Sequence, residues 1–240
     1  MSTSERRSSV RTGVVWDAVA ARLEPSDMAR ARVVDIGGGT GGFAVRLAQQ
    51  GHAVTVVDPS PDALAALARR ADEAGVAGLV TGVQGDLTDL GTHVAPGSAD
   101  VVLCHGVLEV VPDPAAALRA IAGVLGEGGL LSLLVAQRHA AVVARAMAGH
   151  FQQALALLDD PAATGRGRRY TADEVTALLA DAGFAVEGIR AVRVFADLVP
   201  GSLLDLEPGA TAALVDLERA VAGRPEYLPL ATQVHLLATR

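Results

Sequence analysis

Short β-branched apolar runs alternate with stretches of helical period through the first half of the chain. Val10–Leu23 reads as an amphipathic helix carrying Trp16, the only tryptophan, behind a polar start over residues 1–9 that predicts fraying. Arg32–Ile36, Ala53–Val57, Leu79–Val83, Asp100–Cys104 and Leu130–Val135 read as strands. Between them, Gly41–Gln50, Pro61–Glu73 and Asp113–Leu125 read as helices; Gly75 stops the second, and the turn Gly126-Glu127-Gly128-Gly129 stops the third. Strands that are apolar along their whole length, separated by helices, predict a parallel sheet covered on both faces.

The pattern changes in the second half. His139–Leu158 is one Ala-rich helical stretch, followed by a loop from Asp159 to Arg169. Thr171-Ala172-Asp173-Glu174 is a capping box, in which the Thr hydroxyl and Glu carboxylate satisfy N–H groups at a helix start, and Gly183 is its stop. Phe184–Phe195 and Gln233–Thr239 are strand-like, with a helix near Thr211–Ala222 between them, an order that suits an antiparallel sheet edge. There is no repeat of fixed period and no low-complexity run.

Composition narrows the chemistry. The 240 residues are 50% hydrophobic, which excludes a disordered chain, and the single cysteine, Cys104, excludes a disulfide scaffold. Every one of the 20 basic residues is arginine, so a P-loop lysine, a Tyr/Lys dehydrogenase pair and a lysine Schiff base are all impossible. Six histidines form no HxxxH or HxH pair, which leaves no argument for a metal. A net charge of −7 opposes non-specific nucleic-acid binding, while a local arginine cluster remains able to meet a particular RNA. No apolar run approaches the roughly 18 residues of a membrane helix, and MSTSERRSSVR lacks the apolar core of a signal peptide, so the expected location is cytoplasmic.

The chemistry-bearing segment is Val33-Val34-Asp35-Ile36-Gly37-Gly38-Gly39-Thr40-Gly41-Gly42, between a strand and a helix. Glycines there let the backbone approach a ligand beside a helix N-terminus. Read as Gly37-x-Gly39-x-x-Gly42 it is a dinucleotide fingerprint; read as Asp35-x-Gly37-x-Gly39-x-Gly41 it resembles the signature of class I S-adenosylmethionine (SAM) methyltransferases. Asp58, at the end of the second strand, can accept both hydroxyls of a ribose, a demand common to NAD and SAM. No residue offers a hydride-transfer acid, which favours SAM. In class I methyltransferases the end of the third strand holds the group that reads the adenine amino group; Gly85-Asp86 stands there, with Asp89 as the neighbouring alternative.

A narrower resemblance follows. His105-Gly106-Val107-Leu108-Glu109-Val110-Val111-Pro112-Asp113-Pro114 is similar to the matching stretch of the tRNA 5-carboxymethoxyuridine methyltransferase family. So are Val10-Arg11 with Trp16, Met147–Phe151, Val192–Asp197 and Arg224–Tyr227 through His235, so that the likeness spans nearly the whole chain. It implies a doubly wound, mostly parallel, seven-stranded Rossmann-like α/β sheet in a single domain over residues 1–240, with a helical cap insertion at about 137–169. It also implies SAM as cofactor, a tRNA or small acidic molecule as methyl acceptor, Arg11 against the cofactor and His105 in its pocket. Asp35, Gly37, Gly38, Gly39, Asp58, Gly85 and Asp86 complete the expected cofactor set, with Asp35 orienting the glycine turn. His139, Arg166, Arg168 and Arg169 fall where substrate is expected. The family's lysine-rich run and its Asn-x-His-Gly are here the three arginines and Gln137-Arg138-His139-Ala140. No residue stands out as a general base, as expected for a carboxylate acceptor, which is ionised at neutral pH. A small-molecule O- or N-methyltransferase and a non-catalytic SAM- or nucleotide-binding module remain the alternatives.

Overall fold

The computed structural model describes residues 3–24, 30–163, 165, 167–200, 203–204 and 209–240, with side chains described from residue 12 onward. Seven strands form one sheet in the order β3-β2-β1-β4-β5-β7-β6: β1 Arg32–Ile36, β2 Ala53–Asp58, β3 Val80–Gln84, β4 Ala99–His105, β5 Leu125–Ala136, β6 Ala185–Val192 and β7 Gln233–Thr239. Strands β1 to β5 pair in parallel, Asp35 standing between Val56 on β2 and Leu103 on β4. Strand β7 runs the other way. Its start receives the Gln137 N–H on the Thr232 carbonyl, while beyond its end Arg240 exchanges hydrogen bonds with Gly128 and Gly129. The sheet is therefore mixed, with β7 as the reversed strand between β5 and the edge strand β6.

Contacts gather the chain into two compact units. One comprises Ala21–Leu134, Thr176–Glu187 and Leu236–Arg240; the other comprises Met1–Ala20, Val135–Val175 and Gly188–His235. In the first unit, Val33, Val34, Ile36, Val54, Val56, Val57 and Val101 to Cys104 are all buried. Burial of successive residues on both faces explains why these strands read as unbroken apolar runs rather than alternating ones. Each such Val or Leu contributes about 1.5–3 kcal/mol of apolar transfer. Helices α2 (Ala44–Gln49), α3 (Pro61–Glu73), α4 (Leu90–His93) and α5 (Pro114–Val124) connect the strands. Local chemistry starts two of them: Ser60 Oγ accepts from the Ala63 N–H and Asp113 Oδ1 from the Ala116 N–H, each ahead of a proline that opens the helix.

Several expectations need correction. Helix α1, Thr3–Leu23, begins well before Val10, within the segment expected to fray. The glycine-rich stretch after α5 is not a free turn but the first part of β5: Ala99 pairs with Leu125 and Val101 already with Leu130, so the extra residues are absorbed as an irregularity in the strand. The first helix after β1 is shorter than Gly41–Gln50, and the four-residue helix α4 had no sequence signal.

In the second unit, the expected continuous helix is two, α6 (Arg138–Met147) and α7 (Phe151–Asp159). Gly149 has φ +77°, the Gly149 N–H bonds the Ala146 carbonyl and the His150 N–H reaches back to the Arg145 carbonyl, a Schellman closure that ends α6. The capping box forms as read: the Glu174 N–H bonds Thr171 Oγ at 3.2 Å and the Thr171 N–H bonds Glu174 Oε2 at 2.9 Å, opening α8 (Ala172–Asp181). Strand β6 stops at Val192, short of Phe195, because Arg193 turns to φ +61°. Helix α9 (Ala210–Ala222) then brings Glu218, almost fully buried, beneath that bend, where its carboxylate accepts from the N–H groups of Val194, Phe195 and Ala196 at 2.7–2.9 Å. No helix among the described residues is long and apolar enough to cross a membrane.

Candidate active site

The ends of β1, β2, β3 and β4 in the first unit collect most of the residues singled out in the sequence. The turn after β1 is held by backbone bonds from the Gly37 N–H to the Val57 carbonyl and from the Gly41 N–H to the Gly38 carbonyl. Three glycines are required there by what surrounds them, one being Gly41, where φ is +81° and a Cβ would collide with Leu67 Cδ1. At Gly38 a Cβ would fall 2.5 Å from Asp35 Oδ2, and at Gly37, where φ is +67°, it would fall 2.5 Å from Val107 Cγ2. Gly39 is different: the nearest atom to an added Cβ is Asp58 Oδ2 at 3.9 Å, so that side of the turn is open to a ligand.

Two carboxylates serve this turn. Asp35 is buried below Gly38; burial, and then the nearby Asp58 charge, push its pKa up to about 7. Asp58 is 7% exposed, and accepts from the Gly39 N–H through Oδ2 and from the Ser60 N–H through Oδ1, each at 2.9 Å. Each carboxylate oxygen keeps a second lone pair for a ligand hydroxyl. At the end of β3, the Gly85 N–H bonds the Asp58 carbonyl, and Asp86 Oδ1 accepts from the Thr88 N–H and hydroxyl at 2.7 and 2.6 Å. Asp86 is exposed. Asp89, the alternative reader, is engaged elsewhere: Oδ1 accepts from the Asp86 N–H at 2.8 Å and Oδ2 lies 3.2 Å from His93 Nε2.

His105 ends β4. Its Nε2 lies 2.8 Å from Oγ of Ser132, a fully buried residue of β5, and its ring stands edge-on to Phe43 at 5.0 Å between centroids. Burial pushes the imidazole down to about 4, so it is uncharged at neutral pH. Cys104 next to it is buried and its thiol is pushed up by desolvation, which makes it inert rather than nucleophilic. The helix-α1 residue Arg11 has its side chain outside the described residues. Sequence reasoning missed Phe43, Ser60 and Ser132; each takes its role from a partner on another element, and only Ser60, a helix cap before Pro61, carried a local signal.

The described substrate candidates, His139, Arg168 and Arg169, lie in the second unit. His139 is exposed on α6, whose N-cap Gln137 accepts from the Ala140 N–H at 3.1 Å. Arg168 is exposed, with its guanidinium 5.7 Å from the Tyr170 ring centroid; the Arg169 N–H bonds the Pro161 carbonyl; Arg166 lies outside the described residues.

Residues 9–188 match the family described as Methyltransferase domain. The chain belongs to that family. Over 239 residues it is 28% identical to the tRNA 5-carboxymethoxyuridine methyltransferase of Escherichia coli K12, covering 98% of this chain and 89% of that one. A ubiquinone biosynthesis O-methyltransferase of Xanthomonas axonopodis is 41% identical, but over 136 residues, 55% of this chain and 52% of that one. Among solved structures, a SAM-dependent methyltransferase of Listeria monocytogenes superposes with a TM-score of 0.66 at 16% identity, covering 95% and 97% of the two chains. One from Mesorhizobium loti gives 0.61 at 20%, covering 95% and 98%. The protein is thus a SAM-dependent methyltransferase built on the Rossmann-like fold of its family. The described residues fit that cofactor: a glycine turn open at Gly39, a carboxylate beside it with lone pairs to spare, and an exposed carboxylate at the next strand end.

Proposed function

We propose that this methyltransferase transfers its methyl group to a carboxylate, that of 5-carboxymethoxyuridine at the wobble position of tRNA. The observation that carries this reading is the reach of the tRNA-enzyme similarity. It covers 98% of the chain, whereas the ubiquinone-enzyme similarity covers 55%. A match confined to about half the chain is what a shared cofactor-binding fold produces; one that continues through α6, α7 and β6 includes segments free to differ between acceptors.

SAM supplies an electrophilic methyl group on a sulfonium centre. In our reading Asp58 binds its ribose hydroxyls, Asp86 the adenine amino group and Arg11 its carboxylate, while Gly39 leaves the turn open to it and Gly37, Gly38 and Gly85 present backbone groups at the same strand ends. Asp35 shapes the glycine turn from below, and His105 with Phe43 walls the pocket. A carboxylate acceptor is already ionised at neutral pH, so the residues must align it and exclude water rather than remove a proton. His105, held near 4, is a poor proton acceptor, which suits this acceptor better than a phenol. We read the chain as one catalytic domain in which residues 137–169 carry the acceptor's contacts, with His139, Arg166, Arg168 and Arg169 as the candidates.

Turnover with tRNA carrying 5-carboxymethoxyuridine, and none with tRNA lacking the carboxylate, is the expected result. Replacing Arg166, Arg168 and Arg169 together should weaken RNA binding and lower its salt slope by about two to three, at about 0.9 per phosphate contact, with SAM affinity unchanged. The net charge of −7 favours a second reading, a free small acid as acceptor. Activity on such an acid without activity on the tRNA would replace the first reading with the second.

A further inference from the structure

We propose that Asp89 and His93 form a positioning pair that fixes Asp86 for recognition of the adenine amino group, and so set the enzyme's selectivity for an adenine nucleoside. This rests on the reading of Asp86 given above. Asp86 is exposed and hangs on a turn between β3 and the four-residue helix α4, a place with little regular structure to hold it. Among the described residues its own carboxylate ties only to Thr88, two residues away, which orients the side chain against the turn but does not anchor the turn itself. The anchor is Asp89. Its Oδ1 takes the Asp86 N–H at 2.8 Å, and its Oδ2 lies 3.2 Å from His93 Nε2 one helical turn on.

The same two side chains press on the backbone just before Asp86. A Cβ at Gly85 would fall 2.5 Å from His93 Nε2 and 2.9 Å from Asp89 Oδ1, so only glycine lets the pair sit this close. From the other side, the Gly85 N–H bonds the Asp58 carbonyl, which links the turn to the strand end that carries the ribose carboxylate. Asp86 is thereby held between β2 and the Asp89–His93 pair. The Asp86 N–H, then His93, hold the Asp89 carboxyl below the usual carboxylate range, so it accepts hydrogen bonds across the working pH range. The two side chains are partly exposed, and a polar contact in such a setting contributes little to folding. Its geometric effect on one backbone N–H is the larger one. Carbonyl-like geometry at position 89 is what matters, and charge is secondary.

Calorimetric binding of S-adenosylhomocysteine and of its inosine analogue, which lacks the amino group, separates positioning from general stability. Asp86→Ala should erase the preference for the adenine ligand. Asp89→Ala should lower that preference about tenfold, the factor that goes with one misplaced hydrogen bond, while Asp89→Asn, which keeps the acceptor oxygen, should stay within about threefold of the parent. In turnover the Ala variant should raise KM for SAM and leave kcat nearly unchanged. Equal loss of both ligands' affinity in Asp89→Ala, or no rescue by Asn, would overturn the positioning role while Asp86 still reads adenine. An unchanged preference in Asp86→Ala would overturn it differently, by removing Asp86 as the reader.

Discussion

Asp58 Oδ2 accepts a hydrogen bond from the Gly39 N–H at 2.9 Å, so the carboxylate that ends β2 is tied to the glycine turn that follows β1. Its other oxygen holds the Ser60 N–H at the start of α3. One side chain thereby organises two loops and still faces the open side of Gly39. Replacement by alanine removes a charged acceptor from a ligand and loosens the turn together. Asp58→Ala should lose about 1.5–3 kcal/mol of SAM affinity, about ten- to a hundredfold. Calorimetry on the folded variant measures this, and an unchanged affinity would refute the ribose assignment.

Asp35 gives a pH dependence of folding with a defined sign. Its pKa in the folded protein, about 7, lies above that of an unfolded aspartate, so the native state holds the proton over a range where the unfolded chain has lost it. Stability from this group therefore falls as pH rises from about 4 to about 7 and is level beyond. Asp35→Asn cannot ionise and escapes the fall. Relative to the parent, the variant should gain about 2–4 kcal/mol between pH 4 and pH 8 in urea unfolding. Parallel pH profiles for the two proteins would show that Asp35 is ionised in the fold.

Glu218 is a buried carboxylate whose value lies in three backbone N–H groups, those of Val194, Phe195 and Ala196. Alanine there orphans all three donors at the bend where Arg193 takes φ +61°. Glu218→Ala should destabilise the fold by about 3–5 kcal/mol. Glu218→Gln, with one oxygen left to accept and an amide group facing donors, should recover only part of this. Chemical denaturation gives both values, and a loss under about 1 kcal/mol for the alanine variant would mean that water replaces the carboxylate.

Local chemistry made much of the protein legible from its residues. Strands β1, β2 and β7, helices α3 and α5 and the capping box of α8 stand where apolar period, proline and capping side chains placed them, because each of those signals acts within a few residues. The glycine turn and Asp58 were legible for the same reason: close backbone approach demands glycine, and a strand end beside it is a fixed place for a carboxylate. Tertiary structure decided the rest. That β7 enters the sheet between β5 and β6, and that the glycines after α5 belong to a strand, follow from pairing with distant segments. Asp89 was read as a rival to Asp86, yet packing made it the support of that residue. Ser132 beside His105, and Glu218 under the β6 bend, are ordinary residues in sequence. Their roles arise only when burial leaves a polar group with no water and the fold must bring it a partner.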